Sequence, residues 1–337
     1  MTEHTVAQLA HVEILSPKPQ ESVAFFKDLL GMQESARSGG SVYLRGYQDT
    51  YHHSLVVTEA AQAGMGRTGW RTSSAAALEQ IAAGIEATGL GMGWIDDEIG
   101  QGRTYRFRTP DDHVMEVAWE LEPAPVPSEE ASAMPNAPQM RPLQGVPVRR
   151  IDHVNLMCSD VPTSKRFFEE HLSFKCRERV VMEGDEDFAS WFSVSPLPHE
   201  LAIMTDTTGT RGRLHHVAFW YGVEQHLNDI AEILRDRGIA IEAGPSKHGI
   251  TQSPFIYVYE PGGNRIELFG GYGYLCLAPD FEQKTWTPEL LSRGLSMYGL
   301  ELPETFFAYG TPHVEISADD LVDGVHHRDT PQAMPAS

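Results

Sequence analysis

The feature that most restricts what this chain can fold into is that it repeats itself. LAHVEILSPKPQESVAFFKDLLGM aligns with IDHVNLMCSDVPTSKRFFEEHLSF, setting His11 on His153 and Phe25–Phe26 on Phe167–Phe168 at one constant offset. Further along, TPDDHVMEVAW (from Thr109) lies over EPGGNRIELFG (from Glu260), which sets Glu116 on Glu267. Between these ends LEQIAAGIEATG matches LNDIAEILRDRG, apolar at helical spacing. Each half reads strand, helix, strands, helix, strands. SVAFFKDLL and SKRFFEEHL are expected as helices. VYLRGY, LAIMTD, HHVAFW, FIYVYE and RIELFG, rich in β-branched and aromatic residues, are expected as strands. The expectation is an α+β protein of two tandem domains, each of paired βαβββ modules forming a curved mixed sheet around a cavity.

The 337 residues suffice for two domains with their own cores. Residues 123–148 hold seven prolines among Ala, Ser and Glu, the composition of a semi-extended linker. This divides the chain into an N-terminal domain (1–122), the linker, a metal-binding domain (149–290) and an extension or lid with a polar tail (291–337). After Ser317 the tail is expected to be mobile, with His326 and His327 a surface pair rather than a site. A formal charge of −21 argues against a nucleic-acid partner, though not against an anionic substrate held by a few arginines. Three cysteines without C-x-x-C spacing suggest reduced thiols, and no apolar run approaches the roughly 20 residues of a membrane span. A soluble cytoplasmic protein is expected.

Two histidines and a carboxylate from separate strands, with coordination positions left over, are the facial triad of non-haem iron(II) oxygenases. His153 and Glu267 supply two members, and the strand beginning LHHVAFW supplies the third. If that strand alternates, only one of His215 and His216 faces the metal. Aligning the repeat places Arg67 on His216 and Gly66 on His215. Because arginine cannot ligate a cation, one half is expected to hold metal and the other to keep His11 and Glu116 as relics. Removing His216 should abolish metal binding, whereas changing His215 should mainly cost stability.

The strings IDHVNLM, GRLHHVAFW, GPSKHGIT and FIYVYEPGGNRIELF resemble the type I extradiol dioxygenases of the vicinal oxygen chelate superfamily, especially the catechol and homoprotocatechuate 2,3-dioxygenase branches. The resemblance implies tandem vicinal-oxygen-chelate domains and ligand roles for His153, His216 and Glu267. It implies iron(II), or manganese(II), as cofactor and an aromatic diol and dioxygen as substrates. It gives His199 an acid–base role and makes His248 and Tyr257 hydrogen-bond donors to the reacting oxygens. Trp191 and Asn155 become pocket-lining residues, for which plain packing is an equal alternative. A homotetramer or other homo-oligomer is also implied. The homoprotocatechuate branch carries an arginine just before G-P-x-x-H-G, where this chain has Ala243 in IEAGP, which counts against an acidic ring substituent there. Arg293 is then a candidate carboxylate clamp or an ordinary surface residue. A glyoxalase-type isomerase or thiol transferase of the same superfamily is the alternative function.

Overall fold

The computed structural model describes residues 4–315, so the expectations for the tail and for His326 and His327 lie outside the described residues. The first half contains β1 (Val6–Ser16), β2 (Gln33–Ser38), β3 (Ser41–Arg45), β4 (Leu55–Glu59), β5 (Gly64–Thr72), β6 (Gly91–Ile95), β7 (Thr104–Arg108) and β8 (Val114–Ala118). The second contains β9 (Arg150–Cys158), β10 (Lys175–Val181), β11 (Asp187–Ser193), β12 (Leu201–Thr205) and β13 (Arg213–Trp220). It continues with β14 (Ile241–Lys247), β15 (Pro254–Tyr259), β16 (Arg265–Phe269) and β17 (Lys284–Trp286).

Among the described residues these strands make two mixed sheets, ordered β2-β3-β4-β1-β5-β8-β7-β6 and β17-β10-β11-β12-β9-β13-β16-β15-β14. With β17 set aside, the two orders correspond strand for strand. Each sheet is two βαβββ modules joined through an antiparallel pair of their first strands, β1 with β5 and β9 with β13.

The helix within each module, joining its first strand to its second, forms where the periodicity predicts it. α1 (Pro19–Ala24) runs into a π-helical turn over Phe25–Leu29, a wider turn in which Phe25, Phe26 and Leu29 all stay buried. α2 (Ala75–Glu86) is capped by the Ser74 hydroxyl, which accepts from the Ala77 N–H at 3.0 Å. α3 (Val161–Leu172) is capped by Asp160, which accepts from the Thr163 N–H at 2.9 Å. α4 (Gln225–Asp236) buries Leu227, Ile230 and Leu234.

One core joins the halves, with Phe26 against Phe219 and Trp70 against Phe174 at ring separations of 5.9 and 4.9 Å. The proline-rich segment is irregular, and its end is tied down. Val146 and Val148 are buried, and their N–H groups donate to Leu29 O and Leu30 O, each at 2.9 Å. Gly145, at φ +57°, permits that approach, because a Cβ there would lie 2.2 Å from Leu29 O.

Along β9, Val154, Leu156 and Cys158 face this core, leaving His153, Asn155 and Met157 on the opposite face. That face is covered by α5 (Pro288–Leu295) and α6 (Glu304–Ala308) of the C-terminal extension. No helix among the described residues is long and apolar enough to cross a membrane.

Candidate metal centre and its cavity

Three neighbouring strands bring the predicted trio together. Ala218 on β13 pairs with His153 on β9 on one side and with Glu267 on β16 on the other. The small side chain leaves room for the two larger ones to meet across it. His216, paired with Asn155, completes the group. His153 Nε2 lies 2.9 Å from Glu267 Oε2 and 3.1 Å from His216 Nε2, and His216 Nε2 lies 3.1 Å from Glu267 Oε2. All three side chains are buried.

The donor set fits a divalent ion. The Asp152 carboxylate, itself held by Arg150 at 2.9 Å, accepts the Nδ1 proton of His153 at 2.9 Å. With Nδ1 committed, His153 Nε2 is the atom free to ligate, and it faces His216 Nε2 and a carboxylate, an arrangement that needs a positive charge among them, either a proton or a metal ion. Burial pulls the His153 pKa down, but Glu267 and Asp152 outweigh it and push it up to about 9. Burial likewise opposes the charge on Glu267, yet His153 and His216 hold its pKa well below the usual range. A bound metal ion would supply that positive charge with two imidazoles and one carboxylate as ligands, leaving positions open on an octahedral ion.

Strict alternation would send His215 to the core face, but the strand is not strictly alternating here. The β9–β13 ladder slips between Leu214 and His216, so His215 is the extra residue of a β-bulge. Its ring consequently stays beside His216, with the two Nδ1 atoms 2.6 Å apart.

The cavity beyond the trio is lined by His199, His248, Tyr257, Asn155 and Trp191, with apolar side chains for the remaining wall. His199 sits with its ring 4.0 Å from that of His153, and burial holds its pKa well below the ordinary value. His199 Nδ1 and Asn155 Oδ1 are buried without a protein partner. His248 is committed differently from the expectation that it donates into the cavity. Its Nδ1 proton goes to Leu295 O at 2.6 Å, which leaves Nε2 to accept from the Tyr257 hydroxyl at 3.0 Å. Arg293 is not in this cavity. It is exposed and lines an outer cavity of about 660 Å3 with Glu178, Lys284 and Trp286.

Glu200, next to His199, is buried and accepts from the Val194 N–H at 3.0 Å. Burial pushes its pKa up to about 7. Between the unfolded value near 4.5 and this folded value the native state keeps a proton that the unfolded chain has released. The contribution of Glu200 to stability is thus fully present below pH 4.5 and lost as pH rises through 7, to the extent of about 3 kcal/mol. The melting-temperature advantage of Glu200→Gln over the parent should grow from pH 5 to pH 8. A difference independent of pH would contradict this account.

The N-terminal sheet holds the counterpart. Gly69 pairs with both His11 and Glu116, as Ala218 does with His153 and Glu267, and Arg67 occupies the register position of His216. The Arg67 guanidinium forms ion pairs with Glu13, with Glu98 at 3.2 Å and with Glu116 at 3.1 Å, and Arg106 reaches Glu116 at 2.7 Å. A side-chain cation stands where the other half assembles its donors. Removing it would leave Glu13 without a cationic partner and Glu98 and Glu116 to share Arg106 alone, so Arg67→Ala should cost about 3–5 kcal/mol and lower Tm by roughly 5–15 °C without changing metal content. Thermal melts and metal analysis of one preparation check both parts.

Sequence reading missed two residues here. Asp152 orients His153, and His53 repeats His199: each precedes by two residues the strand position paired with Val12 or Val154, and His53 lies 4.8 Å from the His11 ring. The signal was present in aligning HHSLVV with PHELAI.

Fold and site together define a tandem-repeat protein in which one half assembles a set of metal-ligating side chains. The family model described as Glyoxalase/Bleomycin resistance protein/Dioxygenase superfamily matches residues 8–117 and 150–268, and the chain belongs to that superfamily. Within it, the chain falls in the extradiol dioxygenase branch. It is 48% identical to metapyrocatechase of Geobacillus stearothermophilus, over 91% of this chain and 94% of that one. It is 36% identical to a manganese-dependent 2,3-dihydroxybiphenyl 1,2-dioxygenase of Geobacillus genomosp. 3, over 88% and 95%. The 2,3-dioxygenase LapB of Pseudomonas sp. KL28 superposes with a TM-score of 0.75 at 27% identity, covering 85% of this chain and 98% of LapB. Homoprotocatechuate 2,3-dioxygenase of Brevibacterium fuscum, at 23% identity, shares the fold with a TM-score of 0.80 over 91% and 92%.

Proposed function

We propose that this protein opens the ring of a catechol-type diol beside its two hydroxyls, with dioxygen as oxidant, to give a 2-hydroxymuconate-semialdehyde-type acid. The observation that carries this reading is the convergence of His153, His216 and Glu267 at the floor of an apolar cavity walled by His199, His248 and Tyr257. The similarity to metapyrocatechase across nine-tenths of the chain supports it and disfavours the isomerase alternative.

His153, His216 and Glu267 would hold iron(II), with manganese(II) suited to the same donors. When bound, the ion supplies positive charge that favours the anionic diol and a place where diol and dioxygen meet. The remaining roles fall to side chains. His199, kept neutral by burial, takes a diol proton and returns it as the ring opens. His248 fixes the direction of the Tyr257 hydroxyl, and a substrate oxygen arriving there replaces His248 as the acceptor of that proton. Asn155 offers its unpartnered carbonyl oxygen to a diol hydroxyl, and Trp191 forms part of the wall.

Val180, Phe188, Met204 and Phe307 line the cavity, and among the described residues no Lys or Arg does so. An uncharged ring substituent therefore fits better than an acidic one, which would be buried without a counter-charge. The test is to load iron(II) without air, add catechol, 3- and 4-methylcatechol or 3,4-dihydroxyphenylacetate, admit oxygen, and record absorbance and oxygen uptake. A yellow product with uptake matched to diol loss, and methylcatechols ahead of the acid, is expected. One iron per chain with neither colour nor uptake would return attention to glutathione-linked isomerase substrates.

A further inference from the structure

We infer that His215 is a positioning residue that decides which nitrogen of His216 is offered to the metal. The inference rests on reading His153, His216 and Glu267 as the ligands, and it gives His215 more than the packing role expected of it.

The argument follows the protons. His215 Nε2 lies 2.6 Å from Phe306 O, which can only accept, so Nε2 carries the proton. His215 Nδ1 is then a lone-pair acceptor, 2.6 Å from His216 Nδ1. The His216 proton is drawn to Nδ1, and its Nε2 is left bare, facing Glu267 and His153. Without this acceptor His216 has an easy alternative. A proton on its Nε2 would bond the Glu267 oxygen 3.1 Å away, satisfying both groups and removing two ligands from the ion at once.

The relay has a rigid anchor. Phe306 lies in α6, and Arg265 donates to Thr305 O and Tyr309 O on either side of it, both at 2.8 Å, and to His215 O at 3.2 Å. Arg265 is in turn paired with the buried Glu242 at 2.6 Å. One guanidinium thus fixes both the acceptor that orients His215 and the backbone of His215 itself.

The molecule also contains its own control. The N-terminal sheet has the same bulge, between Arg67 and Met65, and Gly66 occupies it. At the register position of His216 that sheet carries Arg67 and so has no imidazole for the bulge residue to orient, and a Cβ on Gly66 would lie 2.4 Å from Glu13 Oε2. Ala10 likewise stands where Asp152 orients His153. The half that offers a guanidinium in place of a metal lacks both orienting side chains.

The test uses full-length metal-free protein titrated with manganese(II), with free ion read by electron paramagnetic resonance. His215→Phe fills the space without an acceptor, whereas His215→Asn restores an oxygen near the Nδ1 position. The phenylalanine variant should bind manganese(II) about 10–100-fold more weakly and the asparagine variant within about threefold of the parent, whatever their metal-free melting temperatures. Nitrogen-15 spectra should show His216 protonated on Nδ1 in the parent and the asparagine variant and on Nε2 in the phenylalanine variant. If His215→Phe does not fold, the smaller His215→Leu, which equally lacks an acceptor, should weaken binding likewise. Parental affinity in the variants without an acceptor, or equal losses in the asparagine and phenylalanine variants, would overturn the inference. Retention of manganese(II) by His216→Ala would instead overturn the ligand assignment beneath it.

Discussion

His216→Ala should emerge from purification folded but with its metal site emptied, and should take up no oxygen above background. His216 is one of three converging donors, and alanine leaves His153 and Glu267, a pair that can satisfy itself through the 2.9 Å contact between them. Metal sites draw roughly 10–16 kcal/mol from about four ligands, so losing one should weaken binding on the order of 100-fold or more. Metal content after mild chelation and an oxygen electrode measure the two halves of this expectation. A variant that retained stoichiometric iron would show that the third ligand lies elsewhere, with His215 the first place to look.

His199→Asn should separate binding from chemistry. Its ring contacts that of His153 from the cavity side without belonging to the trio, so the metal should stay. Asparagine can hydrogen-bond at this position but cannot accept and return a proton at neutral pH. The expected loss is in kcat, roughly 100- to 10,000-fold, with KM changed far less. Parental turnover in this variant would remove His199 from the proton path and leave Tyr257 as the remaining candidate.

Much of this was legible in the chain because duplication supplies an internal alignment. Matching the repeats located Arg67 opposite His216 before any coordinates, and the β-ladders reproduce that register. The apolar strands and amphipathic helices followed from their periods. The failures share a cause: each depends on something periodicity does not encode. Where the His215 ring goes was not legible because a bulge adds one residue and resets which face the strand presents. The proton on His248 is fixed by a backbone carbonyl 47 positions along the chain, in a segment whose docking no local pattern announces. Arg293 has suitable chemistry but sits on the outer side of α5, where the helix direction takes it away from the cavity that Leu291 and Leu295 line.

Arg67 has a consequence for how the protein meets scarcity. One half carries a permanent cation, covalently part of the chain, and the other, on the proposed reading, would borrow an exchangeable one. The two share a continuous core, in which Phe26 packs on Phe219. A chain made when metal is short would therefore keep one sheet whose buried carboxylates are already neutralised, packed against the other. Shortage would leave a reserve of folded protein awaiting reloading, and the supply of metal would govern how much of it works rather than how much of it survives.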